Sequence, residues 1–290
     1  MQRKPFMTAL LGLGMLFSGL SAQAQGKPLE WVVGYPAGGG SDVVARTLAD
    51  AMSKSLGRPI IVTNKPGAGT NIAAEYVARS RDVGNVMLTA DFATLAANPT
   101  LFTKLGYNAE KDFAPVGLLA RFPMFLVVSN TVPAKNLKEF SAWAKAQKES
   151  VNWGSAGLGS PHHLVGELFR EKSGLPLMHV PYKGAAPAVQ DVVGGQIPAM
   201  WLDSAVAYPF INGQKLKAIA VASARRLSVM PDIPTAAEQG VKGFEAYAWQ
   251  GLVVPANTPA ETVSKLSEAL QNALGQTAIK ARMQAMGLEP

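Results

Sequence analysis

The 290-residue chain has no cysteine. This excludes disulfides, thiolate metal sites, a cysteine nucleophile and a lipid-modified N-terminal cysteine. Histidine is scarce too, with three residues, His162, His163 and His179. His163 and Glu167 stand at i, i+4 of a predicted helix, but no third ligand accompanies them, which favours a capping or structural role over a metal site. Nucleotide fingerprints are missing. No G-x-x-x-x-G-K-[ST] occurs, and the trios Gly38, Gly40, Val43 and Gly67, Gly69, Ile72 both lack the last glycine of G-x-G-x-x-G. The sequence Trp153-Gly-Ser-Ala-Gly157 puts Trp where a G-x-S-x-G nucleophile elbow needs its first glycine. No cofactor and no covalent chemistry are expected.

Clustered positive charge is also absent. Setting Arg3 and Lys4 aside, 25 of the 27 basic residues face 20 acidic ones, a net charge of +5, with Arg225-Arg226 the one notable pair. Nucleic-acid binding concentrates such charge on one stripe, so the excess reads as solubility with a mild bias toward anionic ligands. The one long apolar run, Phe6 to Leu20, is shorter than the roughly 18–20 residues of a membrane span. It follows Arg3 and Lys4 and precedes Ala22-Gln23-Ala24, the n-region, h-region and A-x-A site of a secretory signal. Residues 1–24 are therefore expected to be removed, leaving a periplasmic chain from Gln25.

What is present is glycine in organised places. Tyr35-Pro-Ala-Gly-Gly-Gly-Ser-Asp42 follows an apolar run, Leu29 to Gly34, and precedes an amphipathic one, Val43 to Leu56. That order reads as strand, turn, helix. Three glycines let the backbone approach a ligand without a Cβ in the way, and the helix N-terminus beside Ser41 and Asp42 favours an anion. Asn64-Lys-Pro-Gly-Ala-Gly-Thr-Asn71 is a second glycine turn. Val180-Pro-Tyr-Lys-Gly-Ala-Ala-Pro187 echoes the first, with a strand before it, a tyrosine in it and a helix after it. Taken alone, each turn is equally readable as a tight connection.

Strands at Pro59–Val62 and Val86–Ala90 alternate with helices, then resume at Val151–Trp153, Leu177–Val180, Ile197–Leu202 and Leu216–Ala222. Asn136-Leu-Lys-Glu139 is a capping box. Pro161 to Ser173, Ala186 to Val193 and Pro259 to Leu274 have helical patterning. The pattern predicts an α/β fold with mainly parallel sheets flanked by helices. Two extended apolar runs, Phe113 to Ser129 and Phe244 to Val254, break it and read as crossings near 121–125 and 246–250. Lobe 1 is then 25–122 plus 250–290, and lobe 2 is 123–249.

In open α/β sheets, ligands sit outside the carboxyl ends of strands. Two glycine turns on facing lobes would form opposite walls of one cleft and hold a carboxylate by main-chain N–H groups and waters. Ser155 follows a strand of the second lobe and is a ligand contact or a local turn contact. Asp203 ends another strand and is a contact for a ligand donor such as an amine, or a cap. Asp42 is mainly a cap and secondarily a contact. Tyr35, Trp153, Tyr182, Trp201 and Trp249 are candidate cleft aromatics.

The ordered set Tyr35–Arg46, Asn64–Ile72, Tyr107–Val116, Gly154–Leu164, Val180–Pro187 and Gly194-Gly-Gln196 continues with Asn212–Ala218, Pro231–Glu238, Trp249-Gln-Gly251 and Pro255–Pro259. In this combination the chain resembles the Bug-type periplasmic solute receptors of tripartite tricarboxylate transporters. The resemblance implies a two-lobe, type II binding protein that closes on a small organic carboxylate and delivers it to a membrane permease. It implies no charged side chain opposite the carboxylate. It also implies contacts from Tyr35, Ala37, Gly38, Gly39, Ser41 and Asp42, from Ser155 and Ala156, from Tyr182, Gly184, Ala185, Ala186 and Pro187, and from Asp203. A monomer without enzyme activity is expected. A sensor domain feeding a two-component system, and less favourably a secreted hydrolase, are the alternatives. Two departures from the resemblance stand out. The sequence stops at Glu289-Pro290, where relatives usually add a further helix, and Arg81-Asp-Val-Gly-Asn85 replaces an Asp-Gly-Tyr-Thr-like turn.

Overall fold

The computed structural model describes residues 27–289, so the secretory signal expected at 1–24 lies outside the described residues. The chain opens with β1 (Leu29–Val33), α1 (Gly40–Leu56), β2 (Ile60–Asn64), α2 (Asn71–Ala78) and β3 (Val86–Asp91). A π-helical turn, Ala93–Ala97, and the short α3 (Asn98–Leu101) lead to β4 (Phe113–Val128). The middle of the chain supplies α4 (Leu137–Lys145), β5 (Val151–Ser155), α5 (Pro161–Ser173), β6 (Leu177–Pro181), α6 (Ala185–Val193), β7 (Ala199–Asp203), α7 (Ser204–Asn212) and β8 (Lys217–Val221). It ends with β9 (Tyr247–Pro255), α8 (Ala260–Gly275) and α9 (Thr277–Ala285).

Local chemistry sets many of these boundaries. Before α5, the Ser160 side chain accepts from His163 N, Pro161 opens the helix, and Gly174 ends it at φ 61°. At α4, Asn136 Oδ1 accepts from Glu139 N at 2.9 Å, and Glu139 Oε2 accepts from Lys135 N at 2.8 Å. The return bond of the predicted capping box is thus made one residue earlier than the motif's usual partner.

The nine strands form one sheet in the order β2-β1-β3-β9-β4-β7-β5-β6, with β8 also paired to β4. The α/β class is as read, but the sheet is mixed rather than mainly parallel. β1 is parallel to β2 and β3, and β5 is parallel to β6 and β7. β9 runs antiparallel to β3 and β4, and β4 runs antiparallel to β7 and β8. The reason lies in the two extended apolar runs. They are long strands passing from one group of parallel strands to the other, without the helical crossover that makes neighbours parallel. β4 pairs with β9 from Phe113 to Pro123 and with β7 from Met124 to Val128, so it changes partners in mid-strand.

Helices cover both faces. α1 and α8 bury Leu48, Met52, Leu266 and Leu270 against Trp31, while α2 packs Ala73 and Val77 on Val32 and Leu88. Around β7, Phe169, Trp201 and Phe244 form an aromatic triad with ring centroids 5.1–5.6 Å apart, Phe169 edge-to-face with both partners and Trp201 tilted against Phe244. The last described residues tie in at the crossing. Arg121 and Glu289 exchange main-chain bonds of 2.8 and 3.0 Å, and Ser204 Oγ donates to Gly287 O at 3.1 Å.

The triad yields a stability test. Phe169 is 1 % exposed, so Phe169→Ala is expected to lower unfolding stability by about 3–5 kcal/mol in a urea titration. A loss under about 1 kcal/mol would show that the ring is not part of the core.

Candidate functional site

The first turn is built by Asp42. Its carboxylate reaches back to accept from Gly38 N at 3.0 Å, and it takes further bonds at 3.0 Å from Asn64 Nδ2 and Arg46 Nε. Asn64 Nδ2 also donates to Tyr35 O at 2.9 Å, joining the turn to β2. Burial opposes ionisation of Asp42, but the bonds from Arg46, Gly38 N–H and Asn64 outweigh it and hold the carboxyl below its ordinary range. Gly38 takes φ +82°, which a residue with a Cβ resists. Asp42 is thereby occupied within the turn, and α1 starts at Gly40 behind Gly39 with no side-chain cap. The leading N–H groups of α1 keep no intrahelical partner.

The second turn repeats this arrangement. Gly184, at φ +125°, precedes α6, which also has no side-chain cap. Pro187 has no N–H, so Ala185 and Ala186 carry the leading donors. The Tyr182 hydroxyl donates to Asp191 Oδ2 at 2.6 Å; burial first, then the Asp191 bond and charge, push it up to about 12. The two turns touch. A Cβ at Gly184 would lie 2.6 Å from Pro36 Cδ, and one at Gly40 would lie 2.4 Å from Asp203 Oδ1.

Between the turns is an inner cavity of about 30 Å³, on the order of two waters where each needs about 10–15 Å³. Of the residues anticipated from sequence, Tyr35, Gly39, Ser41, Ala156, Ala185, Ala186 and Asp203 meet at its wall. A larger chamber of about 350 Å³ adjoins it, sharing Tyr35, Pro36 and Ala156 and adding Tyr182, Gly184 and the second glycine turn, Pro66 to Thr70. Within that second turn Ala68 and Thr70 adopt positive φ, 47° and 77°. For a β-branched Thr this is a strained state, held here by Asn98 Nδ2 donating to Gly69 O at 2.6 Å and by Thr70 Oγ1 donating to Thr94 Oγ1 at 2.8 Å.

Ala37, Gly38, Asp42, Ser155 and Pro187 line neither cavity. Ala37 and Gly38 are exposed on the outer side of the first turn. Ser155 is 0 % exposed; its Oγ accepts from Gly157 N at 3.1 Å and shares a 2.6 Å bond with His179 Nε2. Burial, then the charge of His163, lower His179 to about 4. The imidazole lies among Trp153 and His163, with ring centroids 4.6 and 4.2 Å away. The serine–histidine pair thus locks a turn. His163 Nδ1 accepts from Gly159 N at 3.2 Å, while Glu167 is paired with Arg170 at 2.7 Å, so the i, i+4 pair serves two separate contacts.

Four wall residues that matter were not singled out from sequence as contacts: Gly40, Asp91, His162 and Gln250. Tyr35 Oη donates to Asp91 Oδ2 at 2.7 Å, and Asp91 Oδ1 accepts from Thr94 N and Oγ1, both at 2.9 Å. Burial first, then Asp91, raise the Tyr35 hydroxyl well above its ordinary value. Gln250 Nε2 donates to Ser41 Oγ at 2.5 Å. His162 Nε2 lies 3.1 Å from Asp203 Oδ2, and Asp203 Oδ1 caps α7 by accepting from Val206 N at 3.2 Å. Asp203 is therefore both a cap and part of the wall. A usable signal existed for two of the four. Asp91 ends a strand as Asp203 does, and Gln250 is a lone amide inside an apolar run.

Two tests follow from this geometry. Gly40→Ala puts a methyl where Asp203 is fixed by two bonds, so it should weaken binding of any acid that stabilises the wild type at least tenfold in calorimetry. Unchanged affinity would show that the two walls need not meet there. A carboxyl held below its ordinary range stabilises the fold while ionised, fully above the ordinary range and not at all once pH falls through the lowered value. Asp42→Asn should therefore lower the melting temperature at pH 7, with the gap to wild type closing below about pH 4. A gap that stays constant across that range would contradict the role given to Asp42.

Comparison with known proteins identifies the family. The model of the tripartite tricarboxylate transporter family receptor matches residues 44–290. Among solved structures, the periplasmic binding protein BugD is 36 % identical with a TM-score of 0.86, over 90 % of this chain and 87 % of that one. MatC from Rhodopseudomonas palustris, with bound malate, is 35 % identical at a TM-score of 0.85, over 90 % and 89 %. Rpa4515 from R. palustris, with adipate, is 30 % identical at 0.88, over 91 % and 88 %. The chain has the two-lobe α/β architecture of these binding proteins and belongs to the tripartite tricarboxylate transporter receptor family.

Proposed function

We propose that this protein is a periplasmic receptor that closes two lobes around a small organic carboxylate and delivers it to a tripartite tricarboxylate-type permease. One observation carries the reading: α1 and α6 begin without side-chain caps and present their first residues to one cavity. No Lys or Arg among the described residues lines that cavity. A helix N-terminus supplies N–H donors and a positive dipole end, so two of them suit an anion without a cationic side chain. A hydrogen bond to a charged group contributes about 1.5–3 kcal/mol, and micromolar affinity needs about 8 kcal/mol, so a handful suffices. The malate and adipate held by two relatives support a carboxylate ligand.

In this reading lobe 1 comprises 25–122 and 250–290, and lobe 2 comprises 123–249. The mid-strand change of partner in β4 and the start of β9 at Tyr247 support crossings near 121–125 and 246–250. The contact set is centred on Tyr35, Gly39, Gly40, Ser41, Ala156, Ala185, Ala186 and Asp203, with Tyr182 and Gly184 on the outer chamber. The protein acts as a monomer and binds its solute without transforming it. The sealed Ser155 hydroxyl supports that reading over hydrolysis.

Thermal unfolding with a panel of dicarboxylates, tricarboxylates and aromatic carboxylates, each beside its amide, tests the proposal. A ligand at a hundred times its Kd adds about 2.7 kcal/mol, several degrees in melting temperature for a chain of this size. At least one acid should give that shift while its amide gives none. Equal shifts from acid and amide would remove the carboxylate claim.

A further inference from the structure

Two polar atoms in the wall of the inner cavity are buried without a partner: Gln250 Oε1 and His162 Nδ1. Their residues are 6 % and 8 % exposed. Buried polar groups are nearly always hydrogen-bonded, so two orphans on one small cavity are open to a partner inside it, a water or a ligand that displaces it. Both are acceptors. Gln250 has committed its amide N–H to Ser41, which leaves the carbonyl oxygen. His162 faces an acceptor-only carboxylate through Nε2, so Nε2 carries a proton and Nδ1 is the nitrogen left over, a lone pair in the imidazole form.

The neighbouring side chains add acceptors, not donors. Asp203 keeps unfilled lone pairs after its bonds to Val206 N and His162, and the Tyr35 proton is already given to Asp91. Among the described side chains of this wall, only the Ser41 hydroxyl, whose oxygen accepts from Gln250, and the second N–H of the Gln250 amide have a proton left to offer. The cavity thus has two chemical sides. Main-chain N–H groups of Gly40, Ser41, Ala185 and Ala186 provide donors for a carboxylate. Gln250, His162 and Asp203 provide acceptors that a bare carboxylate cannot satisfy.

Resting on the carboxylate reading above, we propose that the bound solute is a carboxylate with a hydrogen-bond donor on the adjacent carbon: a 2-hydroxy or 2-amino acid. The position of the donor follows from size. The inner cavity, about 30 Å³, has room for little beyond the carboxylate and its first substituent, while the rest of the solute extends past Tyr35, Pro36 and Ala156 into the chamber of about 350 Å³. A site built to bond a hydroxyl discriminates strongly against the analogue that lacks it, because the site's own buried groups are then left unpaired.

Matched pairs test this in isothermal calorimetry on the full secreted chain: lactate and alanine against propionate, malate and aspartate against succinate, 2-hydroxyglutarate against glutarate, and mandelate against phenylacetate. In every pair with measurable binding, the better hydroxy or amino member should bind at least tenfold tighter, about 1.4 kcal/mol. Gln250→Met and His162→Phe should each shrink that ratio to under threefold, with the melting temperature of each unliganded variant checking that it folds. If a variant does not fold, the wild-type pairs decide alone. Deoxy acids that bind within threefold of their partners, or a ratio unchanged in both variants, would overturn the donor requirement and leave the carboxylate reading standing. No binding by any acid of the panel would remove both.

Discussion

A main-chain N–H in the first turn of a helix has no carbonyl to bond, and at α1 and α6 no side chain takes its place. The two other helices that reach the same cavity, α5 and α7, are capped by Ser160 and Asp203. The difference is chemical as well as geometric. Capped N-termini are spent on the protein itself, and uncapped ones keep donors and a dipole end for something else. The rest of the site keeps those two ends uncapped and close.

Asp42 is the clearest case. An aspartate beside a helix start would ordinarily cap it. Here it is turned back onto Gly38 N, Arg46 and Asn64, which shapes the turn and leaves the helix end open. Closeness comes from residues without a side chain at the contact. Gly40 faces Asp203 and Gly184 faces Pro36 at distances that exclude a Cβ. The crossing strands supply the remaining constraint. β9 places Gln250 beside Asp91 of β3 in register, so the amide that engages Ser41 is carried by the same strand that leads back between the two parallel-strand groups.

Much of this was legible in the sequence, and the reason is locality. Tyr35 to Asp42 and Val180 to Pro187 have the signature of strand, glycine turn and helix written within ten residues, and strand ends before helices are where α/β proteins bind ligands. The α/β class and the two extended apolar runs that form β4 and β9 were legible for the same reason. What was not legible depends on which strands become neighbours. Gln250 matters because β9 lies between β3 and β4, and His162 matters because α5 brings it to Asp203, forty-one residues away. The antiparallel neighbours arise from strand order in the same way, since no local periodicity distinguishes a strand that crosses from one that returns through a helix. α9 begins without a capping side chain, and α7, although Asp203 precedes it as a cap, contains Pro209, which disfavours a helix.

The central claim is that one carboxylate is held by main-chain donors from both turns at once. Amide ¹H–¹⁵N chemical shifts measured during titration with an acid that stabilises the protein test it most directly. The signals of Gly40 and Ser41 on one side, and of Ala185 and Ala186 on the other, should move downfield together and saturate at a single Kd. Saturating binding that leaves either pair unmoved would contradict it.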